Sequence, residues 1–369
     1  MSRAIATNAT QVWRLRVYMT YNSLQIFIFS QRSHEQTLQR FSMRLGRLSG
    51  IFVPFLLFLL MAMPVLLGAA QTTQSSWQAV GQIGGPTQAV AVQGNYAYVG
   101  VGLRLVVLDV SNPAAPREVG AATPFPHFVE DVAIGGTLAY VAAGGGGLRV
   151  VDISDPTHPK EVGYWTSPGY AEGVAVAGSV VYLADGPYGL RVIDVSNPAQ
   201  PKEVGSAFPV NYAFKVAVNG HYVYVAAAGA GLLIADVTDP NHPVEVGSLD
   251  TPGYAYGVAV GGNTVYVADG WQGVRVINVS DASHPVEIGS YKTPGWAFGV
   301  AISGNLAYVA DAFKGLRVLD VSDPSHPKEL GSYEAEGCHA GTVVVQGNTA
   351  YVADRNWGLR TIGKPGTLA

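Results

Sequence analysis

Glu130 and Glu172 are the two residues whose type and spacing could support catalysis. They stand 42 residues apart, and each comes shortly before a short apolar run. Two facing carboxylates can hydrolyse a glycosidic bond, with one acting as acid and the other as base or nucleophile. Lys215 and His339 would share their surface. Because no G-x-S-x-G, phosphate-loop or helical metal-ligand motif accompanies the pair, a glycan-directed hydrolase is an alternative rather than the leading hypothesis.

Aromatic residues accompany these glutamates and predict a recognition surface. They stand two or four residues before similar apolar runs, or in nearby glycine-rich turns. Together with Glu130, Glu172 and His339, the following residues are expected to form one ligand-binding face: Phe128, Tyr170, Tyr188, Tyr212, Tyr254, Tyr256, Trp271, Trp296, Phe298, Phe313 and Trp357. Aromatic side chains recognise sugars, peptides and cations. The alternative is that the repeated aromatic residues only pack between neighbouring structural units.

Two further sets of residues recur at fixed positions and raise the question of metal binding. They are the aspartates Asp185, Asp269, Asp311 and Asp354 and the histidines His158, His242, His284 and His326. Calcium takes six to eight oxygen ligands, which single carboxylates from separate copies cannot easily supply. The histidines lie in separate turns, too far apart for ligands at about 2.1 Å from one ion. We therefore predict that the aspartates bond the backbone of their own turns, with no metal and no cofactor.

An internal repeat shows which elements must position these residues. A Tyr-Val-Ala or Tyr-Val-Gly motif, once Tyr-Leu-Ala, returns every 42 or 43 residues, at Tyr98, Tyr140, Tyr182, Tyr224, Tyr266, Tyr308 and Tyr351. Most copies contain runs such as GVAV, VYVAD, GLRVIDVS and KEVGSY, separated by Gly-Asn, Asp-Gly and Asp-Pro turns. Short β-branched and aromatic runs between such turns are typical of strands. We expect an all-β chain with four strands in each copy.

The number of strands predicts a closed ring. Seven copies of the second strand are present, but the last copy, at residues 358–369, ends before its fourth strand. The missing strand is matched by WQAVGQI, residues 77–83. An open solenoid needs polar caps, whereas a ring closed by its N-terminal strand does not. We predict a seven-bladed β-propeller of four-stranded repeats, formed by residues 71–369 as one domain.

The repeated stretch LRVVDISDPTHPKEVG, residues 148–163, resembles the LVIVD-repeat family. Related copies extend over residues 77–362. The resemblance implies a propeller and an exported or surface location in bacteria or archaea. It implies no shared catalytic mechanism and supplies no catalytic residues, so function has to be argued from the positions that differ between copies.

Composition and charge exclude one class of partner. Apolar residues reach 48% and charged residues only 13%, which fits many short buried strands. Residues 1–70 hold seven of the 22 basic residues and one of the 26 acidic ones, so the remainder carries an excess of ten negative charges. An acidic domain is a poor partner for phosphate backbones, and nucleic acid is therefore not expected.

Residues 51–67, IFVPFLLFLLMAMPVLL, form an uninterrupted apolar segment. Arg44 and Arg47 precede it and a Gly-Ala-Ala sequence follows, which is the order of a secretory signal peptide. An uncleaved membrane anchor is the alternative, because the segment lies near the lower length limit of about 17–25 residues for a span.

Met43 begins a well-formed signal peptide by itself. We therefore expect residues 1–42 to be a non-native extension and residues 43–70 to be a signal peptide or membrane anchor. The protein is then expected to be secreted, periplasmic or at the cell surface. Membrane contact would occur only through an uncleaved N-terminal segment.

The leading functional hypothesis is a non-catalytic binding module outside the cytoplasm. Its aromatic and acidic face would recognise a partner that is a protein or a carbohydrate. The first alternative is a structural or adhesive cell-surface scaffold, and the second is the hydrolase that uses Glu130 and Glu172.

Overall fold

The computed structural model describes residues 4–5, 12–20, 23–32, 35–44, 77–207 and 212–364. The chain divides into two compact units, Met1–Thr72 and Thr73–Ala369. In the first unit, four strands form an antiparallel sheet in chain order: β1 (Ala4–Ile5), β2 (Val12–Thr20), β3 (Ser23–Arg32) and β4 (Glu35–Arg44). The apolar segment 51–67, where we predict a signal peptide or anchor, lies outside the described residues. Within the described ranges, no helix is long and apolar enough to cross a membrane.

The second unit is built of seven four-stranded antiparallel sheets, numbered here as blades 1 to 7. Blade 1 consists of β6 (Thr87–Gln93), β7 (Tyr96–Val101), β8 (Arg104–Asp109) and β9 (Arg117–Ala121). Blade 2 consists of β10 (Asp131–Gly135), β11 (Leu138–Ala142), β12 (Leu148–Asp152) and β13 (Lys160–Trp165). Blade 3 consists of β14 (Gly173–Ala177), β15 (Val180–Ala184), β16 (Leu190–Asp194) and β17 (Lys202–Ala207). Blade 4 consists of β18 (Lys215–Asn219), β19 (Tyr222–Ala226), β20 (Leu232–Asp236) and β21 (Val244–Leu249).

The remaining three blades follow the same plan. Blade 5 consists of β22 (Gly257–Gly261), β23 (Thr264–Ala268), β24 (Val274–Asn278) and β25 (Val286–Tyr291). Blade 6 consists of β26 (Gly299–Ser303), β27 (Leu306–Ala310), β28 (Leu316–Asp320) and β29 (Lys328–Tyr333). Blade 7 combines β30 (Ala340–Gln346), β31 (Thr349–Asp354) and β32 (Gly358–Gly363) with β5 (Gln78–Ile83). The predicted all-β, seven-bladed propeller is confirmed.

The N-terminal strand closes the ring as the sequence predicts. Strand β5 runs antiparallel to β32, with Ile83 opposite Leu359 and Gln78 opposite Gly363. The first strands of neighbouring blades contact one another all the way round, including β30 of blade 7 with β6 of blade 1. The fold of the described ring therefore has no open end between its first and last blades.

The blades hold together by burying apolar side chains between adjacent sheets. One such cluster joins Tyr140 and Val150 of blade 2 to Val174 and Leu183 of blade 3. An equivalent cluster lies at each of the seven blade interfaces of the ring, including the one between blades 7 and 1. Burial of both sheet faces explains why the strands are apolar throughout rather than alternating.

The recurring histidines lie on the exposed turns between third and fourth strands. In blade 2, Oδ1 of Asp155 accepts the backbone N–H of Thr157, and its Oδ2 lies 2.9 Å from Nδ1 of His158. Hydrogen bonds from Thr157 and His158 lower the pKa of Asp155 to about 2. The same His-Asp contact recurs in blades 4, 5 and 6. These histidines thus close turns, each on a separate blade.

Candidate functional site

A cavity of about 280 Å³ lies where all seven blades meet. Its lining residues are Gln88, Glu130, Glu172, Phe214, Lys215, Tyr256, Phe298, Gly341, Thr342 and Arg355. The first six blades each contribute the residue at the same repeat position, at or just before the first strand. Because every blade contributes, the cavity lies on the axis of the ring, and we call it the axial cavity.

Two kinds of loop form the face that carries the axial cavity. One kind joins the second and third strands of a blade, and the other leads from the fourth strand into the next blade. They meet in antiparallel bridges such as Gly186 to Ala213 and Gly270 to Ala297. The bridges confirm the expectation that both kinds of loop share one face.

The recurring aspartates anchor these loops. In blade 5, the fully buried Asp269 accepts hydrogen bonds from the Thr251 hydroxyl at 2.7 Å and the Gly253 N–H at 3.0 Å. Both donors lie in the loop that leads into the same blade, and the guanidinium of Arg275 also donates to Asp269. The predicted contact with the aspartate's own turn is therefore wrong for blade 5. It holds for Asp354, which accepts the N–H of Asn356 at 3.0 Å.

The two glutamates form a polar arc along one side of the axial cavity. The Tyr170 hydroxyl donates to Oε1 of Glu130 at 2.8 Å, and the Tyr212 hydroxyl donates to Oε1 of Glu172 at 2.7 Å. Each tyrosine comes from the loop that follows the blade of its glutamate. The predicted site residues Tyr170 and Tyr212 therefore hold the carboxylates, and they also cover the loop glycines of the preceding blade, such as Gly186.

A salt bridge spans blade 3 and joins blade 2 to blade 4. Nζ of Lys215 in blade 4 lies 2.8 Å from Oδ1 of Asp131 in blade 2 and 3.4 Å from the backbone oxygen of Glu130. The lysine stem passes over Gly173 of blade 3, where an added Cβ would lie 3.2 Å from Lys215 Cδ and 2.6 Å from the Phe214 oxygen. The small residue in blade 3 thus lets the bridge cross.

An aromatic wall forms the other side of the axial cavity. The ring centroid of Tyr256 lies 4.9 Å from Phe214 and 5.0 Å from Phe298. The guanidinium carbon of Arg355 lies 5.1 Å from the centroid of Phe298, a cation–π distance. His339 continues the wall, 5.7 Å from Phe298. Burial and the charge of Arg355 lower the pKa of His339.

The remaining predicted aromatics divide into two groups. Trp296 and Tyr254 lie behind Tyr256 at 6.1 and 6.4 Å, while Trp271 meets Trp296 edge-on and Phe313 stacks on His339. Trp271 and Phe313 are 61% and 68% exposed, which places them around the wall as a rim. Of the fourteen predicted residues, four are in the cavity lining itself: Glu130, Glu172, Tyr256 and Phe298. Phe128, Tyr188 and Trp357 are neither in the lining nor among the ring contacts of the wall and rim.

Sequence reasoning missed Arg355 as a lining residue and missed the bridge between Asp131 and Lys215. Both had a signal in the repeat. Arg355 stands where blades 3 and 5 have glycine after the aspartate, at Gly186 and Gly270. Asp131 and Lys215 stand where blades 3, 5 and 6 have the first glycine of their first strand, at Gly173, Gly257 and Gly299. Opposite charges at equivalent positions two blades apart predict such a bridge once the ring is known.

We expect removal of the Glu172 charge to stabilise the fold at neutral pH. Burial is the main cause that raises the pKa of Glu172 above its ordinary 4.5, and the charge of Glu130 raises this pKa further. The hydrogen bond from Tyr212 and the charges of Lys215 and Arg355 lower it, but they do not outweigh burial. The folded state therefore binds the proton more tightly, and stability falls as pH rises from 4.5 through the folded pKa. Glu172→Gln keeps the acceptor for Tyr212, and its free energy of unfolding at pH 7 should exceed that of the wild type.

Urea unfolding at pH 7 and at about pH 4 measures this difference. The advantage of Glu172→Gln should shrink at the lower pH, where Glu172 is largely protonated in both states. An advantage of equal size at both pH values would show that the charge is not its cause.

Two solved structures share the fold at low sequence identity. The computationally designed Ika8 protein matches with a TM-score of 0.57 and 12% identity, over 77% of this chain and 98% of that chain. A chain of the Mitotic Checkpoint Complex matches with a TM-score of 0.64 and 11% identity, over 80% and 94%. These likenesses concern the fold alone. Comparison with curated proteins finds no match.

The family model of the LVIVD repeat matches seven consecutive segments. They are residues 84–123, 128–166, 168–207, 211–251, 252–293, 294–335 and 337–362. These segments include most of the chain and coincide with the seven blades, apart from the closing strand β5. The resemblance seen in the repeated LRVVDISDPTHPKEVG stretch is confirmed, and the chain belongs to the LVIVD repeat family.

Proposed function

We propose that this protein is a non-catalytic binding module outside the cytoplasm that holds part of a protein or carbohydrate ligand in the axial cavity. The observation that carries the proposal is the difference between equivalent positions. Blades 1 to 3 present Gln88, Glu130 and Glu172, whereas blades 4 to 6 present Phe214, Tyr256 and Phe298. A purely structural role does not require one side of the cavity to be polar and the other aromatic.

The surroundings of the cavity support recognition in the same way. The residues that build the blades are similar in every copy of the repeat. The residues of the cavity lining and the rim differ between copies. Ligand sites typically combine apolar and aromatic side chains with placed polar groups. The lining of the axial cavity contains both kinds of side chain. The proposed location rests on the apolar segment 51–67 with its basic flank and the Gly-Ala-Ala that follows.

The hydrolase is favoured by one observation, the raised pKa of Glu172 beside Glu130, which is the condition that a general acid needs. Against it, each carboxylate accepts a tyrosine hydroxyl, and the Lys215 ammonium bonds Asp131 and the backbone oxygen of Glu130 rather than either glutamate carboxylate. This arrangement is suited to holding a ligand, and catalysis is one of the outcomes of the experiment below.

The experiment is to present the purified full chain to glycan and peptide arrays beside two cavity variants, Glu172→Gln and Tyr256→Ala. The variants should lose at least about tenfold in affinity for a ligand that the wild type retains, since each removes a contact that faces the cavity. The matched control is Glu245→Gln, the same chemical change on the outer strand β21, where the side chain is exposed.

Equal retention by all four proteins would exclude the axial cavity and favour a passive surface scaffold. Cleavage of an arrayed glycan by the wild type and by Glu245→Gln, lost in Glu172→Gln, would replace binding with hydrolysis. Melting temperatures of each variant separate loss of binding from loss of folding.

A further inference from the structure

The charges around the axial cavity are arranged unevenly. Lys215 pairs with Asp131 at 2.8 Å, so its positive charge is shared with a carboxylate other than the two glutamates. Glu130 and Glu172 come from adjacent blades 2 and 3 and line the cavity together. Arg355 comes from blade 7 and lies over Phe298 of blade 6. The cavity thus has a negative side and, across the axis, a single guanidinium.

The aromatic wall begins next to the negative side. Phe214 of blade 4 follows Glu172 of blade 3 around the ring, and its ring centroid lies 4.8 Å from Tyr212, whose hydroxyl holds Glu172. A cation between the carboxylates and this wall gains Coulomb attraction and the electrostatic attraction of an aromatic face. Arg355 shows the second of these interactions on the same wall, at Phe298.

The negative charge of the polar arc is only partly compensated. The charges of Lys215 and Arg355 lower the pKa of Glu172, but burial outweighs them and the net shift is upward. At Glu172, burial is the main cause that disfavours the negative charge, and the neighbouring charge of Glu130 adds to it. The tyrosine hydroxyls that reach the carboxylates are neutral donors. A bound cation relieves this repulsion, whereas a neutral or anionic group in the same place does not.

We propose that the axial cavity takes an organic cation, a primary ammonium or guanidinium group on a short apolar stem, such as a lysine or arginine side chain of a partner protein. This inference rests on the proposed binding function and gives its ligand class. The volume of about 280 Å³ lies just below the range of about 300–1,000 Å³ typical of drug-sized ligands, so the cavity suits one side chain rather than an extended molecule.

Arg355 acts as a specificity residue in this arrangement. The charge of Arg355 lowers the pKa of Glu172, so the guanidinium and this carboxylate interact. The same positive charge repels a cation bound in the cavity. Replacing it with glutamine should therefore strengthen binding of a cation. Replacing Glu172 with glutamine should weaken it. A neutral sugar would not respond to Arg355 in this direction, and an anion would respond in the opposite one.

The test is calorimetric titration of the full chain with four probes. They are N-acetyl-lysine methylamide, its uncharged isostere N-acetyl-norleucine methylamide, N-acetyl-glutamate methylamide and a neutral trisaccharide. The lysine probe should bind at least about tenfold more tightly than the norleucine probe. Glu172→Gln should abolish this difference, and Arg355→Gln should increase the affinity for the lysine probe several-fold. Glu245→Gln, which lies outside the cavity, should behave as the wild type.

Each contrary result is distinguishable. No binding of the lysine probe at about 10 mM, or equal binding of the lysine and norleucine probes, overturns the cation inference. Binding of the glutamate probe that falls in Arg355→Gln also overturns it. If the trisaccharide binds and Glu172→Gln or Tyr256→Ala abolishes that binding, the cation class is wrong but the binding function stands. Failure of all four probes, together with unchanged array binding by the cavity variants, overturns both.

Discussion

Replacing Trp77 with alanine should lower the free energy of unfolding of the propeller by about 3–5 kcal/mol, the range for deletion of a large buried aromatic side chain. Trp77 is 4% exposed and meets Tyr308 of blade 6 edge-on at 5.6 Å. It directly precedes β5, and its backbone N–H donates to Ser332 of blade 6 at 3.2 Å. The substitution therefore removes the contact that holds the closing strand to a neighbouring blade.

Urea unfolding followed by circular dichroism measures this change. Trp357→Ala is the matched control, because it removes the same kind of side chain from near the other end of β5, where the Trp357 oxygen accepts a hydrogen bond from Gln82. Trp357 is 48% exposed and keeps one hydrogen bond, from Nε1 to the Gly337 oxygen. Loss of the Trp357 side chain with this hydrogen bond should lower the free energy of unfolding by about 1 kcal/mol. Equal effects of the two substitutions would show that Trp77 has no special part in closure.

Replacing Lys215 with methionine should lower the free energy of unfolding by about 2–3 kcal/mol. Removing one partner of a fully buried ion pair costs about 3–5 kcal/mol because the other charge is left uncompensated. The side chains of Lys215 and Asp131 retain 22% and 12% exposure, so water screens part of this effect. The backbone oxygen of Glu130 also loses a donor.

A double-mutant cycle with Asp131→Asn isolates the interaction. The combination Asp131→Asn with Lys215→Met should cost less than the sum of the two single changes, since no unpaired charge remains. Strict additivity of the three measured free energies would show that the two residues do not interact across blade 3.

The repeat made the ring predictable, because the same hydrophobic and turn residues return at one spacing. The seven Tyr-Val-Ala-like strands against six downstream fourth strands required the N-terminal WQAVGQI to complete blade 7, and β5 does so. Four of the predicted site residues line the axial cavity: Glu130, Glu172, Tyr256 and Phe298. They were found because they occupy one repeat position and differ in type.

The other features of the site depend on distances between side chains in the folded ring, which the repeat pattern does not reveal. Phe128 and Tyr188 are aromatic residues of the same two kinds of loop, but they stand at other repeat positions than Tyr256 and lie outside the lining. Residue type and loop location do not tell which repeat position points to the axis. The predicted turn contacts of Asp269 failed for a similar reason. A loop from the previous blade returns Thr251 and Gly253 to this carboxylate, and that approach is a property of the closed ring.

The pairing of β5 with β32 also sets an order of events during synthesis. The Gln82 side chain donates to the Trp357 oxygen, and these residues are 275 positions apart. At about 5–20 residues per second, the ribosome needs roughly 15–55 s between them. During that time β5 lacks its partner strand β32, so the nascent chain carries an unpaired strand edge. Blade 7 is the first blade to be started and the last to be completed, and during translation this edge must be kept from pairing elsewhere.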